Sequence, residues 1–400
     1  MSSPKIHLSQ LRKNHKYELN CLMPANYTSS LITDKNSNST PEKLKELLHK
    51  ALEKLEAFEQ CALLDYPDHG NIGDHLIWLG EVFYLTDVLK TKINYATSID
   101  DFSEAEMEKQ VGKAPILLHG GGNLGDLWPK FQNFRERIIS KYKDRPIILL
   151  PQSFYFAQRS NLMKAVDVFN SHPNLTLFAR DDYSYELATQ YFYNCQVIRA
   201  PDMALEMVKM PGLSFNSSRN HSILYHCRKD KELNPTSSPV SIDLPDLVVE
   251  DWLTIKDEKK SDKEITSGWV NQHIARISEG WEQGILIPTE WGLRQICKYF
   301  HPYASKFNSL YNPYMHRRSL GFMHQGIYQF KQHRLIITNR LHGHILCILM
   351  GITHIFLPND YHKNEAFYET WTYSIPFCRF VKEPSQIKVA AQELLDLFPN

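Results

Sequence analysis

The chain has 400 residues, 42% of them apolar and 22% charged, enough for two or three globular domains with sizeable cores. Its 45 basic residues equal its 45 acidic ones, so no overall field favours nucleic acid or an anionic membrane, and an anionic ligand must be met by cations gathered locally. Seven scattered cysteines without a C-x-x-C pair argue against a disulfide framework or a zinc site and for a reducing, cytoplasmic setting.

Met1–Asn20 lacks the apolar core of a signal peptide, and no run approaches the ~18 apolar residues of a membrane span. Residues 1–40 read as an extension ending in the polar stretch Asp34–Thr40. Thr40 then suits a helix cap and Pro41 a first turn, followed by an apolar stripe of Leu44, Leu47, Leu48, Ala51, Leu52, Leu55 and Phe58. Beyond it, apolar runs at Cys61–Leu64, Ile93–Ala96, Ile116–Leu118, Ile147–Leu150, Leu175–Phe178 and Val197–Ile198 predict buried strands. Helical segments are expected between most of them, at His75–Leu89, Lys130–Lys141, Asn161–Phe169 and Tyr183–Phe192. Strands alternating with helices imply a largely parallel sheet covered on both faces.

Pro201–Ser218 reads as a break, and a second series follows. Its predicted strands are Ile223–Tyr225, Leu247–Val249, Leu335–Ile337 and His354–Leu357, with Lys256–Lys263 a charged loop. Its predicted helices are Trp269–Ile277, Thr289–Phe300, part of Tyr311–Phe330, Gly343–Met350 and Ser385–Leu397. The pattern is α/β throughout, with one domain over 41–210 and another over 211–400 facing it across a cleft.

Short polar motifs directly follow several of these strands, where open α/β sheets bind ligands. Gly70-Asn71-Ile72-Gly73-Asp74 joins a strand to a helix that Asp74 can cap; a turn needing glycine for geometry alone is an equal reading. The loop Gly120–Asp126, with Gly121, Gly122 and Asn123, is costly in chain entropy and fits close backbone approach to a ligand. It carries neither the Walker lysine nor the G-x-G-x-x-G spacing. Asn71–Asp74 and Asn123–Asp126 share an Asn-x-Gly-Asp pattern, so one carboxylate serves a substrate and the other caps a helix, or the reverse. Arg340 and His342 point the same way if the backbone is extended, aiming a cation and a proton donor into one crevice, whereas His344 reads as structural. Arg228, Arg180 and Lys363 also follow strands and are candidate anion contacts, with Asp181 and Asp182 placed to satisfy Arg180 internally. No spacing suggests a metal, and Gln152-Ser153 is not a serine-hydrolase elbow.

Taken in order, Gly70–Asp74, Gly120–Asp126, Leu150-Pro151-Gln152-Ser153, Ala179-Arg180-Asp181, Pro201-Asp202, Arg228 with its Lys-Asp sequel and Arg340-Leu341-His342-Gly343 resemble the polysaccharide pyruvyl transferase family over roughly residues 60–380. The resemblance implies two Rossmann-like domains in a GT-B-like arrangement. It implies transfer of the pyruvyl group of phosphoenolpyruvate, used as donor substrate without a further cofactor, to a sugar or glycan acceptor as a ketal. Arg228, Arg340, His342 and Lys363 would then meet phosphoenolpyruvate, with His342 as general acid or phosphate contact. Asp74 or Asp126 would take the hydroxyl proton. Gly70, Asn71, Gly73, Gly121, Gly122, Asn123 and Arg180 would form the acceptor side, with Trp128 a stacking surface. A nucleotide-sugar glycosyltransferase and a non-catalytic carbohydrate- or metabolite-binding protein are the competing readings; neither oligomeric state nor the acceptor sugar is legible.

Overall fold

The computed structural model describes residues 39–213, 220–234, 242, 244–252 and 287–399. The predicted helix Trp269–Ile277, the charged loop Lys256–Lys263 and nearly all of the N-terminal extension lie outside them.

Thr40 caps α1 (Pro41–Leu52) by accepting from the Lys43 amide, and Leu44, Leu48, Ala51 and Leu52 form its buried face, with Leu47 left at the surface. The first series builds β1 (Gln60–Leu64), α2 (Ile72–Phe83), β2 (Lys92–Thr97), α3 (Glu104–Val111), β3 (Ile116–Leu118), β4 (Gly121–Gly125), α4 (Pro129–Lys141), β5 (Ile147–Tyr155), α5 (Arg159–Asn170), β6 (Leu175–Ala179), α6 (Asp182–Tyr191) and β7 (Gln196–Arg199). Its strands order as β2-β1-β3-β5-β6-β7, with β4 pairing the far half of β5, and every pairing is parallel.

The second series builds β8 (Asn220–His226), β9 (Leu247–Glu250), α7 (Ile287–Phe300), α8 (Pro313–Phe330), β10 (His333–Thr338), α9 (Leu341–Met350), β11 (His354–Phe356), α10 (Lys363–Phe367), β12 (Cys378–Phe380) and α11 (Ile387–Leu397). These strands form a second parallel sheet, ordered β12-β11-β10-β8-β9.

Period-two alternation explains why the strands read as unbroken apolar runs. Cys61 and Leu63 of β1 face one core cluster, while Ala62 and Leu64 face the other. In β10, Ile336 faces the first cluster, and Leu335 and Ile337 face a third under α11. The first cluster is continuous from Leu63 and Leu117 to Leu224 and Ile336, so both sheets share one core. Each fully buried Leu, Ile or Phe in it contributes about 1.5–3 kcal/mol.

Four elements are absent from the sequence reading: the short α10 and β12, and two whose omission has a physical reason, β4 and α3. Residues 121–125, expected as a loop, form β4: Gly125 adopts φ +115°, and a Cβ there would stand 1.8 Å from the Tyr155 carbonyl oxygen. Close strand approach, rather than ligand approach, requires that glycine. Helix α3 buries only Met107 and Val111 and therefore left no apolar stripe to read. Among the described residues, no helix is long and apolar enough to cross a membrane.

Candidate functional site

Each sheet reverses its strand order beside its first strand: β1 has β2 on one side and β3 on the other, and β8 lies between β9 and β10. The crevice outside the carboxyl ends of such strands is the ligand position of open α/β folds. A cavity of about 1010 Å³ opens there between the two sheets. Its wall is made by segments that follow strands: Gly70, Asn71 and Asp74 after β1, Arg180 after β6, Arg228 after β8, Arg340 and His342 after β10, and Lys363 after β11. Gly122, Asn123 and Trp128 line it from β4 and its sequel.

On the first-sheet wall, the cap of α2 is Asn71 rather than Asp74, because the Asn71 side-chain oxygen accepts from the Gly73 amide. This frees Asp74 for the cavity. Asn71 Nδ2 donates to Asp74 Oδ2 at 2.8 Å, and His69 Nε2 lies 3.5 Å from the same oxygen. His69 also lines the cavity and was missed from the sequence; burial lowers its pKa against the pull of Asp74.

Asp126, the other candidate carboxylate, does not line this cavity. Its two oxygens accept from the Ala157 and Gln158 amides at 3.0 and 2.9 Å, where the chain enters α5. It holds the start of α5, apart from the side chains that converge on the cavity.

Gly73 and Gly121 also lie outside the cavity lining and act by proximity. A Cβ on Gly73 would stand 2.6 Å from His342 Nδ1, so the start of α2 rests directly on the His342 ring. Gly121, at φ +123°, lies beside Asp74 Oδ1, and Gly122 leaves room for Arg180 and Lys363. The glycines let the site's own side chains converge.

Arg180 is satisfied by neither Asp181 nor Asp182. Its Nη1 donates to Asp202 at 2.6 Å and its Nε to Ser153 Oγ at 2.9 Å, while Asp181 caps α6 and Asp182 takes Arg199. Asp202 also meets His342 Nε2 at 3.3 Å. Burial disfavours its charge, yet His342 and Arg180 hold its pKa well below the usual carboxylate range. Asp202 therefore orients two cavity side chains at once, Arg180 and His342.

On the second-sheet wall, Arg228 donates side-on to Asp230 (2.7 and 2.9 Å) and through Nη1 to Glu232 (2.8 Å). Arg340 donates side-on to Asp251 (2.5 and 2.8 Å), and its Nη2 lies 3.5 Å from Asp230. Lys363 bonds Glu232. Burial brings Lys363 down to about 8 despite Glu232; Glu232, also buried, is held at about 2 by Lys363 and Arg228. Arg180, Arg228, Arg340, Lys363 and His342 thus converge on one cavity. Lys231 Nζ lies 3.8 Å from the Trp128 ring centroid, so one face of that ring is covered.

The partners Asp202, Glu232 and Asp251 were not singled out as site residues; Asp202 meets His342 and Asp251 meets Arg340 across long sequence separations, while Glu232 lies only four residues from Arg228 and joins it to the distant Lys363. Only Pro201-Asp202 left a trace, as a motif.

Among the described residues, His344 of α9, His354 of β11 and Cys378 of β12 form a buried group with metal-ligand chemistry that does not line the cavity. The His354 Nδ1 proton goes to the Ile352 carbonyl, so Nε2 accepts from His344 Nδ1 at 2.7 Å, and His344 Nε2 meets Thr372 at 2.9 Å. A chain of hydrogen bonds satisfies both rings without an ion.

The family model described as polysaccharide pyruvyl transferase matches residues 71–361. The chain is 27% identical to the "Putative pyruvyl transferase EpsO" of Bacillus subtilis over 344 residues, covering 86% of this chain and 95% of that protein. It is 27% identical to "Pyruvyl transferase 1" of Schizosaccharomyces pombe over 335 residues, covering 78% of this chain and 70% of that one. A solved Klebsiella pneumoniae structure overlays on 86% of this chain and 100% of its own, with TM-score 0.49 and 16% identity. With most of its length matched, this α/β chain belongs to the polysaccharide pyruvyl transferase family.

Proposed function

We propose that the protein transfers the pyruvyl group of phosphoenolpyruvate to two hydroxyls of one glycan unit, forming a pyruvate ketal and releasing phosphate. The observation that carries this reading is the convergence of Arg180, Arg228, Arg340, Lys363 and His342 opposite Asp74 in one cavity. Phosphoenolpyruvate brings a carboxylate and a phosphate, and guanidinium groups match both by paired, charge-assisted hydrogen bonds. In this scheme the two halves form a GT-B-like pair, residues 41–210 carrying the acceptor side and 211–400 the donor side. The setting is cytoplasmic, in keeping with the free cysteines of the described residues.

His342 delivers a proton to the methylene carbon, which makes C2 electrophilic. A hydroxyl oxygen attacks C2 and gives its proton to Asp74. The C2–O bond to phosphate breaks, its electron pair leaving with phosphate, and the second hydroxyl closes the ketal. Two hydroxyl protons are released in all, and one proton ends on the new methyl group and one on phosphate. His342 is held by Asp202 and by the start of α2, and Asp74 by Asn71, so acid and base are fixed before substrate arrives.

The test is a phosphate-release assay with phosphoenolpyruvate against a panel of glycan acceptors, with the ketal methyl signal read by NMR. Acceptor-dependent phosphate release together with that signal is expected. Hydrolysis of a nucleotide sugar in its place would move the protein to the glycosyltransferases.

A further inference from the structure

Arg180, Arg228, Arg340 and Lys363 are already compensated, and by two kinds of carboxylate. Asp202 and Glu232 are buried, at 0% and 5% side-chain exposure, and each ties two cavity side chains together. Asp230 and Asp251 are different: their side chains are 35% and 20% exposed and line the cavity. Each takes the side-on fork of an arginine, Asp230 on Arg228 and Asp251 on Arg340, and Asp230 also reaches Arg340 Nη2. That fork is the edge with which an arginine grips a carboxylate or phosphate of a ligand. On Arg228, Glu232 holds the remaining Nη1, so Asp230 blocks the last paired edge.

We propose that Asp230 and Asp251 are internal stand-ins for the donor's two anionic groups, so that the donor binds by exchange with them and single anions are rejected. This rests on the phosphoenolpyruvate reading above. A ligand with one anionic group displaces one carboxylate and leaves the other fork closed. A ligand carrying a carboxylate and a phosphate at a short separation takes both forks and releases both aspartates toward solvent. Their partial exposure lets the released carboxylates reach water, while the Glu232 and Trp252 amides remain as their other partners; the buried Asp202 and Glu232 stay and keep the cavity side chains in place. The pair thus selects for two-point donors over inorganic phosphate, which is a product of the reaction and would otherwise accumulate in the site.

The test is isothermal titration of inorganic phosphate and of phosphoenolpyruvate into the full chain and its Asp230→Asn and Asp251→Asn variants, each first checked for a native melt. The amide keeps the shape and removes the competing charge. Phosphate is expected to bind at least about tenfold tighter to either variant than to the parent, because a negative charge within contact distance of the fork has gone. The preference for phosphoenolpyruvate over phosphate should shrink in step. Unchanged or weaker phosphate binding in both variants would overturn the proposal and make the aspartates positioning residues for the arginines. Tighter phosphate binding with no phosphoenolpyruvate binding in any protein would uphold the carboxylate exchange and overturn the donor assignment instead.

Discussion

Gly73→Ala is the substitution in which sequence, packing and chemistry meet most sharply. Position 73 is the second residue of α2, and in a helix interior alanine is favoured over glycine by about 1 kcal/mol. Judged by the helix alone, the change should stabilise. The added Cβ, however, would stand 2.6 Å from His342 Nδ1 and 2.7 Å from its Cβ and Cγ, against the 3.4 Å at which ordinary contact begins. The ring must therefore withdraw by about 0.8 Å, or α2 must lift off it. Since His342 Cβ is among the atoms struck, rotation about the ring bond gives no relief. Overpacking of this kind costs about 1–3 kcal/mol, so the helix gain offsets part of the clash and the net loss is at most about 2 kcal/mol, a small shift in the melt of a 400-residue chain. Catalysis has no such compensation. A misplacement of this size costs about 10²-fold in rate, and the His342–Asp202 contact at 3.3 Å has little slack. The assay is phosphate release from phosphoenolpyruvate with an accepted glycan, beside a thermal melt. The expected result is a near-native melt with kcat down about a hundredfold. Full activity in Gly73→Ala would refute the argument that the start of α2 sets the position of His342.

The remaining predictions concern the carboxylates, one arginine and the histidines. Asp74→Asn should lower kcat by about 10²–10⁴-fold with little change in the melt. Asp126→Asn should do the reverse, costing about 0.5–2 kcal/mol of stability by chemical denaturation with kcat unchanged. Arg340→Lys should weaken phosphoenolpyruvate binding about 10–100-fold in a titration, since an ammonium cannot replace the side-on pair. His316 and His354 have folded-state pKa values brought to about 4 by burial, and His344 lies well below its ordinary value for the same reason. Folded pKa values below the unfolded ~6.5 mean that these groups stabilise fully above pH 6.5 and lose that contribution as pH falls toward 4, at up to about 1.4 kcal/mol per pH unit each. Melts across pH 8 to 5 should be level and then fall; a melting temperature constant down to pH 5 would contradict the neutral, buried assignment.

Strands flanking the site were legible because both their faces are buried. Cys61–Leu64, Ile116–Leu118, Ile223–Tyr225 and Leu335–Ile337 are apolar at every position, and each lies within a strand of one of the two parallel sheets. Reading which residues follow them then located the lining residues that follow strands, from Gly70 and Asp74 to Arg340, His342 and Lys363, but not the wall that residues 249–252 and 325–333 supply. Residues 121–125 escaped because a strand made largely of glycine carries no apolar signal; it is defined by its pairing with β5, more than twenty residues onward. The two Asn-x-Gly-Asp repeats looked equivalent, and only the fold separates them. Asn71 takes over the capping role in the first, whereas the aspartate itself bridges to α5 in the second. Asp202 and Asp251 were hidden for a related reason. Their identity as partners depends on which strand ends the topology brings together, as with Asp202 and His342 at 140 positions apart.

The central claim is that this cavity is a phosphoenolpyruvate site. The most direct test is thermal stabilisation of the full chain and of Arg340→Ala by phosphoenolpyruvate, with UDP and GDP as comparators. A ligand at ~100 times its dissociation constant should add ~2.7 kcal/mol. The account predicts that stabilisation with phosphoenolpyruvate for the parent chain, its loss in the variant, and none with either nucleotide. Stabilisation by a nucleotide and not by phosphoenolpyruvate would contradict it.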